Sequence, residues 1–316
     1  MTEELLIGTV VRMDARVVHV AVGTETLPCA IRGRLFEESS CETRPIAVGD
    51  RVHLVRDGAQ GVIVEREPRK TRLVRGATAP DKTQVIAANV DLAVIVTSTR
   101  DPPLRLGLLD RMLVACEREG IPPLIVVNKI DLPPPDPIEE ELRAYAPLGY
   151  PILFTSAVTG VGVEALAERL REHLSVFVGH SGVGKSSLLN AIQPGLELTI
   201  GELNLKRRTG RHTTTQVALL RLDRGGFVVD TPGFRTFALA GMPPADLSLY
   251  FPEIEAVKDT CRYANCLHEE EPDCAVKLEV AAGSIAESRY DSYCRILENL
   301  RGGGERAPRH DSYEGT

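Results

Sequence analysis

One stretch of eight residues near the middle of the chain constrains the fold more than any other. It matches the phosphate-binding loop pattern G-x-x-x-x-G-K-[ST] at every position, with Gly179, His180, Ser181, Gly182, Val183, Gly184, Lys185 and Ser186. The apolar run 175–178 before it predicts a short buried strand, and residues 187–192 after it predict a helix. Glycines let the backbone wrap around an anion, and the helix N-terminus adds a positive end. The stretch therefore predicts binding of a nucleoside triphosphate.

Within this loop, the residue types indicate separate roles. Lys185 is expected to reach the β- and γ-phosphates and to act in catalysis, Ser186 is expected to ligate Mg²⁺, and Ser187 to complete the nucleotide contacts. The alternative is a glycine-rich turn that binds nothing, and the complete pattern in a strand–loop–helix context argues against it.

Three further motifs follow predicted strands and indicate which base is bound. The first is N-K-x-D, formed by Asn128, Lys129, Ile130 and Asp131; the second is formed by Thr155, Ser156 and Ala157; the third is D-x-x-G, which contains Asp230 and Gly233. A carboxylate after a strand can accept from the ring N1–H and the exocyclic amine of guanine, a pair of donors that adenine lacks. Together with the phosphate loop, these motifs predict a GTPase with Mg²⁺ bound beside GTP.

The order of the motifs is unusual. N-K-x-D and T-S-A precede the phosphate loop, and D-x-x-G comes last, so the predicted GTPase domain at 73–240 is circularly permuted. Such a rearrangement is tolerated because domain termini lie at the surface and often close together. Buried strands and helices alternate in this region, which predicts a mostly parallel, doubly wound α/β sheet; the strands are 91–97, 123–127, 151–154, 217–222 and 226–230, and the helices are 105–119, 138–146 and 163–173.

The segment between the phosphate loop and D-x-x-G occupies the position of switch I. One of Thr213, Thr214 and Thr215 is expected to complete the Mg²⁺ shell, with Thr214 favoured. Phe234 follows D-x-x-G, where many GTPases place the glutamine that orients water. His212 is the nearest candidate to replace it in catalysis; the alternative is that His212 contacts RNA or solvent.

Residues 1–72 predict a small β-barrel. Five short β-branched runs at 8–11, 16–22, 27–31, 51–55 and 61–64 are separated by turn formers, and the oligonucleotide-binding (OB) barrel is the commonest fold of this kind. This region has eleven Lys and Arg residues against eleven Asp and Glu residues, so its net charge is zero. A basic strip at the end of this region has two interpretations, a solvated linker or a phosphate contact. It contains Arg66, Arg69, Lys70, Arg72 and Arg75.

The C-terminal region predicts a metal-binding helical domain at 241–302. Three thiols and one imidazole lie within fourteen residues, which suits one structural, tetrahedral Zn²⁺; they belong to Cys261, Cys266, His268 and Cys274. The alternative is a coincidence of thiols in a chain with seven cysteines. Residues 275–287 and 288–301 predict helices, and residues 303–316 predict a disordered tail.

The totals exclude several classes of protein. A net charge of −7 excludes a polycation that coats nucleic acid along its whole length, so any RNA contact must be local. No apolar run reaches a membrane span, and the first residues lack the basic start of a signal peptide. A cytoplasmic protein without a membrane partner is expected.

Taken together, the motifs resemble one family, the ribosome small-subunit-dependent GTPase A family (the RsgA or YjeQ type). The resemblance rests on the permuted motifs, residues 210–214, residues 230–234 and the spacing C-x₄-C-x-H-x₅-C, and it covers the chain up to Gly302. It implies an N-terminal OB barrel, a permuted GTPase and a C-terminal zinc domain. It further implies binding to the immature small (30S) ribosomal subunit and its 16S rRNA, and subunit-stimulated GTP hydrolysis coupled to release late in assembly, with His212 assisting hydrolysis.

Two other functions are considered beside this one. The first is a nucleotide-gated RNA-binding module whose hydrolysis is incidental, which Phe234 and the basic switch would suit. The second is a permuted GTPase of the large subunit, which the metal cluster and the barrel argue against. In each case a monomer that binds GTP and GDP is expected.

Overall fold

A computed structural model describes residues 5–14, 17–33, 35, 44–79, 82–133, 138–196, 217–230, 239 and 241–302. The chain forms two compact units, of which the first contains residues 1–105 and 115–238 and the second contains residues 106–114 and 239–316. The predicted barrel thus falls in the first unit, together with most of the predicted GTPase domain; residues 106–114 of that domain belong to the second unit. The boundaries predicted at residues 72 and 240 stay predictions. None of the helices in the described ranges is long and apolar enough to cross a membrane.

Five strands form a closed barrel at the start of the first unit: β1 Leu5–Met13, β2 Val18–Val22, β3 Glu25–Ile31, β4 Arg51–Asp57 and β5 Gln60–Arg66. Their order is β1-β2-β3-β5-β4, and β4 also pairs with β1, which closes the barrel. Alternate side chains point inward; Val20, Leu54 and Ile63 are fully buried in its core. The predicted five-stranded, OB-like barrel is confirmed.

The basic strip after the barrel is not a simple solvated linker. Arg69 is 3% exposed, and its guanidinium donates two hydrogen bonds to the buried carboxylate of Asp50, at 2.7 and 2.8 Å. Asp50 also accepts from the backbone N–H of Ala47 at 2.7 Å. Both interpretations of the strip are therefore wrong for Arg69, because its guanidinium is buried from solvent and bound bidentately to a buried carboxylate.

A hairpin that the sequence did not reveal follows this ion pair. Strand β6 Arg72–Ala79 pairs with β7 Lys82–Ala88 in antiparallel fashion, and Val48 forms an isolated parallel bridge with Ala87. Charged and small residues in this stretch obscure the alternation that identifies a strand. The hairpin therefore ties the loop before β4 to the start of the α/β region.

Replacing Asp50 by Asn should destabilise the first unit by roughly 2 kcal/mol, because hydrogen bonds to charged groups contribute about 1.5–3 kcal/mol. Asp50→Asn keeps the shape but removes the charge that Arg69 meets. Urea unfolding followed by circular dichroism measures the change. Asp57→Asn, at the exposed end of β4, is the matched control and should shift the midpoint little. Equal midpoints for the two variants would contradict the expectation.

Within the described residues, six strands form the α/β sheet of the first unit. They are β8 Leu92–Ser98, β9 Pro123–Asn128, β10 Ile152–Phe154, β11 Leu174–Val178, β12 Ala218–Arg221 and β13 Phe227–Asp230, in the order β10-β9-β8-β11-β13-β12. All neighbours are parallel except β12, and one pair, Arg12 with Ala218, joins this sheet to the barrel. The predicted doubly wound sheet is confirmed, and the carboxyl ends of its parallel strands meet at one edge.

Helices connect these strands: α1 Leu106–Glu119, α2 Ile138–Glu141, α3 Val163–Leu170 and α4 Lys185–Ile192. The helix predicted at 138–146 is shorter, because two 3-10 turns, Leu142–Ala144 and Ala146–Leu148, replace its end where Pro147 lacks a backbone N–H. The helix predicted at 163–173 ends at Leu170, and Glu172 then adopts a positive φ of 62°. These differences leave the motifs at the strand ends unchanged.

The second unit is helical in its described part. It contains a 3-10 segment Pro244–Tyr250, α5 Pro252–Glu255, a 3-10 turn Lys258–Thr260, α6 Ala275–Ala281 and α7 Glu287–Arg301. Arg289 on α7 is 1% exposed; it donates to Asp110 at 2.6 Å and to Glu253 at 2.7 and 3.2 Å. Its guanidinium also lies 4.6 Å from the ring centre of Phe251. This buried cluster holds α1, α5 and α7 together within the unit.

Candidate functional site

The phosphate loop joins β11 to α4 and requires glycine at two positions. Gly179 has a φ of 141°, and a Cβ there would lie 2.1 Å from the carbonyl oxygen of Val96. Gly184 has a φ of 97°, and a Cβ there would lie 2.3 Å from Asn128 Nδ2. Any other residue would separate the loop from the neighbouring strand ends. The close approach that glycine permits therefore builds the site from several strands at once.

Lys185 is the first residue of α4 and lies across the loop. Its ammonium donates to the carbonyl oxygens of Gly179 and His180, at 2.8 and 2.9 Å. Ser186, one residue later, is 5% exposed in the first turn of the helix. A cation and a hydroxyl at a helix N-terminus that follows a glycine-rich loop suit the phosphates of a nucleotide and a hard cation such as Mg²⁺. The residues present thus fit the predicted phosphate and magnesium contacts.

Asn128 connects the three predicted nucleotide loops. Its Nδ2 donates to the carbonyl oxygen of Val183 in the phosphate loop at 2.9 Å. Its Oδ1 accepts from the backbone N–H of Ala157 at 3.2 Å and from Thr155 Oγ1 at 3.3 Å. Asn128 itself is 1% exposed at the end of β9. One amide therefore fixes the base-side loops relative to the phosphate-side loop, as an amide can with a donor on one side and an acceptor on the other.

Asp131 and Ser156 bring the two base-side loops together. Ser156 Oγ donates to Asp131 Oδ1 at 2.5 Å, and the same hydroxyl oxygen accepts from the backbone N–H of Thr159 at 3.1 Å. Asp131 is exposed while Ser156 is buried. The serine thus orients the carboxylate, and an oriented carboxylate can accept two parallel N–H groups of a guanine edge.

The strand end of β8 belongs to the same site, although the sequence interpretation assigned it no role. Thr99 is 3% exposed and donates from its hydroxyl to the carbonyl oxygen of Lys129 at 2.7 Å. Lys129 has a φ of 64°, and its ammonium donates to the carbonyl oxygen of Asp101. A left-handed lysine costs roughly 1 kcal/mol, so neighbouring bonds must hold it. The sequence feature that could have indicated this role is the polar run 97–101, which lies at a strand end next to two strands that carry motifs.

Some predicted residues can be located only in part. Asp230 ends β13, next to the strand that leads into the phosphate loop, and its backbone pairs with Ala218. Several other predicted residues lie outside the described residues; they are Gly233, Phe234, His212 and the three candidate switch threonines 213–215. The remaining predicted contacts lie in the phosphate loop, in α4 and in the N-K-x-D loop at 128–131, which we call the base loop. They are His180, Ser181, Gly182, Val183, Ser187 and Ile130.

The second unit carries the predicted metal ligands as one cluster. The ligand atoms of Cys261, Cys266, His268 and Cys274 all lie within 4.8 Å of one another. The two sulfurs of Cys261 and Cys274 are 3.8 Å apart, and each lies 3.5 Å from Nδ1 of His268. Tetrahedral Zn²⁺ with Zn–S bonds of about 2.3 Å and a Zn–N bond of about 2.0 Å would place sulfurs about 3.8 Å apart and sulfur and nitrogen about 3.5 Å apart. The cluster could therefore hold one metal ion.

Neighbouring groups hold the ligand loop in place. Tyr290 Oη donates to the carbonyl oxygen of His268 at 2.7 Å, and Tyr293 Oη donates to that of Leu267 at 3.0 Å. Burial lowers the pKa of His268, which favours the neutral imidazole that metals bind. Burial acts to raise the pKa of Glu271, but bonds from the backbone N–H groups of residues 267, 271 and 269 outweigh it and lower the pKa to about 2. The loop thus keeps its ligands oriented at neutral pH.

A phosphate loop, an N-K-x-D loop and a T-S-A loop at adjacent ends of parallel strands, in permuted order and next to an OB-like barrel, define a circularly permuted GTPase. The model of the RsgA GTPase family matches residues 66–240, and the chain belongs to this family. It is a GTP-hydrolysing enzyme.

Relatives of similar length support this membership. The chain is 41% identical over 310 residues to the small ribosomal subunit biogenesis GTPase RsgA of Chlorobaculum tepidum, covering 94% of this chain and 99% of that protein. It is 42% identical to the RsgA protein of Moorella thermoacetica, covering 93% and 97%. The crystal structure of YjeQ from Thermotoga maritima matches with a TM-score of 0.78 at 38% identity, covering 95% of this chain and 99% of that one. The structure of YloQ, a circularly permuted GTPase, matches with a TM-score of 0.74 at 30% identity, covering 96% and 97%.

Proposed function

We propose that the chain binds the small ribosomal subunit and its rRNA, acts late in the maturation of that subunit, and leaves when GTP is hydrolysed. The observation that carries this proposal is the three-loop junction at Asn128, found in a chain whose relatives of nearly full length are named small ribosomal subunit biogenesis GTPases. The junction supports the GTP chemistry, and the relatives' names support the partner.

The described residues divide the work on the nucleotide. Asp131, oriented by Ser156, accepts from the guanine edge, while the loop amides and Lys185 hold the phosphates. Ser186 and a switch threonine, Thr214, would hold Mg²⁺, which when bound would supply positive charge beside the phosphates. Asp230 lies at the adjacent strand end and would help to hold the same ion, and Gly233 would sense the γ-phosphate. Each of these assignments follows from the residue type at its motif position.

His212 supplies the group that orients or activates the attacking water, since Phe234 cannot form a hydrogen bond with water through its side chain. Switch I is basic and polar, so we infer that it contacts rRNA phosphates and that this contact brings His212 to the γ-phosphate. Hydrolysis releases the switch and lowers the affinity for the subunit. The four ligands of the second unit would hold a structural Zn²⁺, because a full set of protein ligands would leave no position open for a substrate.

Adding purified small subunits should raise the GTPase turnover by at least tenfold, because the subunit completes an active site that lacks its usual water-orienting residue. Phosphate release at saturating GTP measures the turnover, with large subunits as the matched control. Cosedimentation should show the complex with a non-hydrolysable GTP analogue and less of it with GDP.

Three results would contradict this proposal. Turnover that does not respond to small subunits would remove the coupling of hydrolysis to binding. Stronger cosedimentation with large subunits would assign the chain to the other particle. If the His212→Ala variant lost its GTP turnover but still supported normal assembly of the small subunit, the chain would instead be a nucleotide-gated RNA-binding module.

A further inference from the structure

The end of β8 lies between the base side and the phosphate side of the site, because β8 is flanked by β9 and β11. Thr99 follows this strand and donates two hydrogen bonds to backbone carbonyl oxygens of the base loop. Its backbone N–H donates to the carbonyl oxygen of Asn128 at 3.1 Å, and its hydroxyl donates to that of Lys129 at 2.7 Å. The hydroxyl also lies 3.3 Å from the carbonyl oxygen of Leu132. One buried side chain therefore meets the main chain on both sides of Asp131.

The same strand end meets the rest of the site. The Lys129 ammonium donates to the carbonyl oxygen of Asp101, and a Cβ on Gly182 of the phosphate loop would lie 3.4 Å from Pro102 Cδ. Ser98 Oγ donates to the carbonyl oxygen of Pro102 at 2.6 Å, which closes the turn. Residues 98–102 are thus a compact turn wedged between the two loops, and not a connection that passes over them.

The conformation of Lys129 makes the Thr99 hydroxyl important for the position of Asp131. Lys129 has a φ of 64°, which is a conformation that side chains other than glycine rarely adopt. Loss of the bond to its carbonyl oxygen would let this residue relax toward negative φ. Asp131 lies two residues further along, so its carboxylate would move away from the bond with Ser156. A carboxylate discriminates between bases only when both of its acceptor directions are aligned.

We propose that Thr99 is a positioning residue for base selectivity, which acts on guanine through the main chain of Lys129 and thereby through Asp131. This inference rests on the proposed guanine site. Guanine and hypoxanthine differ only in the exocyclic amine, which is one of the two donors that the Asp131 carboxylate accepts. The preference for GDP over IDP therefore measures the alignment of that carboxylate, separately from the phosphate contacts.

The test compares Thr99→Val, which keeps the shape and removes the hydroxyl, with the unchanged chain by calorimetric titration of GDP and IDP in Mg²⁺ buffer. The Kd for GDP should rise about tenfold and that for IDP about twofold, so the preference for GDP should fall about fivefold. In GTP hydrolysis, KM should rise while kcat stays within about twofold. Thr99→Ser, which keeps the hydroxyl, should restore both affinities, and Thr99→Ala should behave like Thr99→Val.

Thr97→Val is the matched control, since Thr97 lies on the same strand and its hydroxyl forms no hydrogen bond with the base loop among the described residues. It should leave the GDP preference unchanged. Equal weakening of GDP and IDP in Thr99→Val or Thr99→Ala, or no weakening, would overturn the role of Thr99. If the unchanged chain bound ADP as well as GDP, the guanine site itself would be wrong, and the inference would fall with it.

Discussion

Removing the metal from the cluster of Cys261, Cys266, His268 and Cys274 is expected to unfold residues 257–273 while the rest of the second unit stays folded. Among these residues only His268 is buried, and no apolar side chain is buried between Ile254 and Cys274. A segment without a core of its own would depend on a bound metal, and structural Zn²⁺ contributes roughly 10–16 kcal/mol in small metal-dependent folds. The helices around Phe251, Tyr293 and Leu297 bury apolar surface without the metal.

Trypsin detects this change at Arg262, whose side chain is 64% exposed within the segment. After chelation, cleavage there should accelerate by about 100-fold or more, because a local opening that the metal opposes becomes frequent. Elemental analysis of the untreated protein should find one zinc per chain. Cys274→Ser should reproduce the effect of the chelator.

Cys294→Ser is the matched control for this experiment, because Cys294 lies on α7 in the same unit but outside the four-ligand cluster. It should keep the metal and the resistance to trypsin. Protein that lacks metal yet resists cleavage at Arg262 would show that the segment folds by its own contacts. The cluster would then be an accessory site.

The sequence predicted those parts of the fold that depend on local pattern. The phosphate loop, N-K-x-D and T-S-A could be placed at strand ends because each is a short run with its own chemistry, next to an apolar run that predicts a strand. The five barrel strands were found for a similar reason, since β-branched runs and turn formers alternate there. The order of the motifs then predicted the permuted GTPase, and the family comparison confirmed it.

Contacts between distant residues could not be predicted in this way. Arg69 meets Asp50 across 19 positions, and Arg289 meets Asp110 across 179. In the sequence, each of these charged residues resembles an ordinary surface residue, because burial of a charge depends on a partner that only the fold brings near. Thr99 was missed for the same reason: its role depends on strand order, which places β8 between β9 and β11.

Asp131→Asn is expected to weaken GDP binding by about 10²- to 10⁴-fold and to favour XDP over GDP. Guanine presents two donors, its N1–H and its exocyclic amine, and the carboxylate accepts both. The introduced amide offers one acceptor and one donor, so it opposes the guanine amine with an N–H group. Xanthine carries a carbonyl oxygen where guanine carries that amine, and it would accept from the new donor. Unpaired polar groups in a binding site account for losses of this size.

Titration of GDP, XDP and ADP measures this reversal, and Asp223→Asn is the matched control because Asp223 is exposed in the turn between β12 and β13. The control should keep the preference for GDP. If Asp131→Asn lost GDP without gaining XDP, the carboxylate would act only on the shape of the loop, through its bond with Ser156. A variant that kept its GDP affinity would remove Asp131 from the base site. Because phosphate contacts are the same for all three nucleotides, any change in their ranking must arise at the base, where Asn128, Asp131 and Ser156 converge.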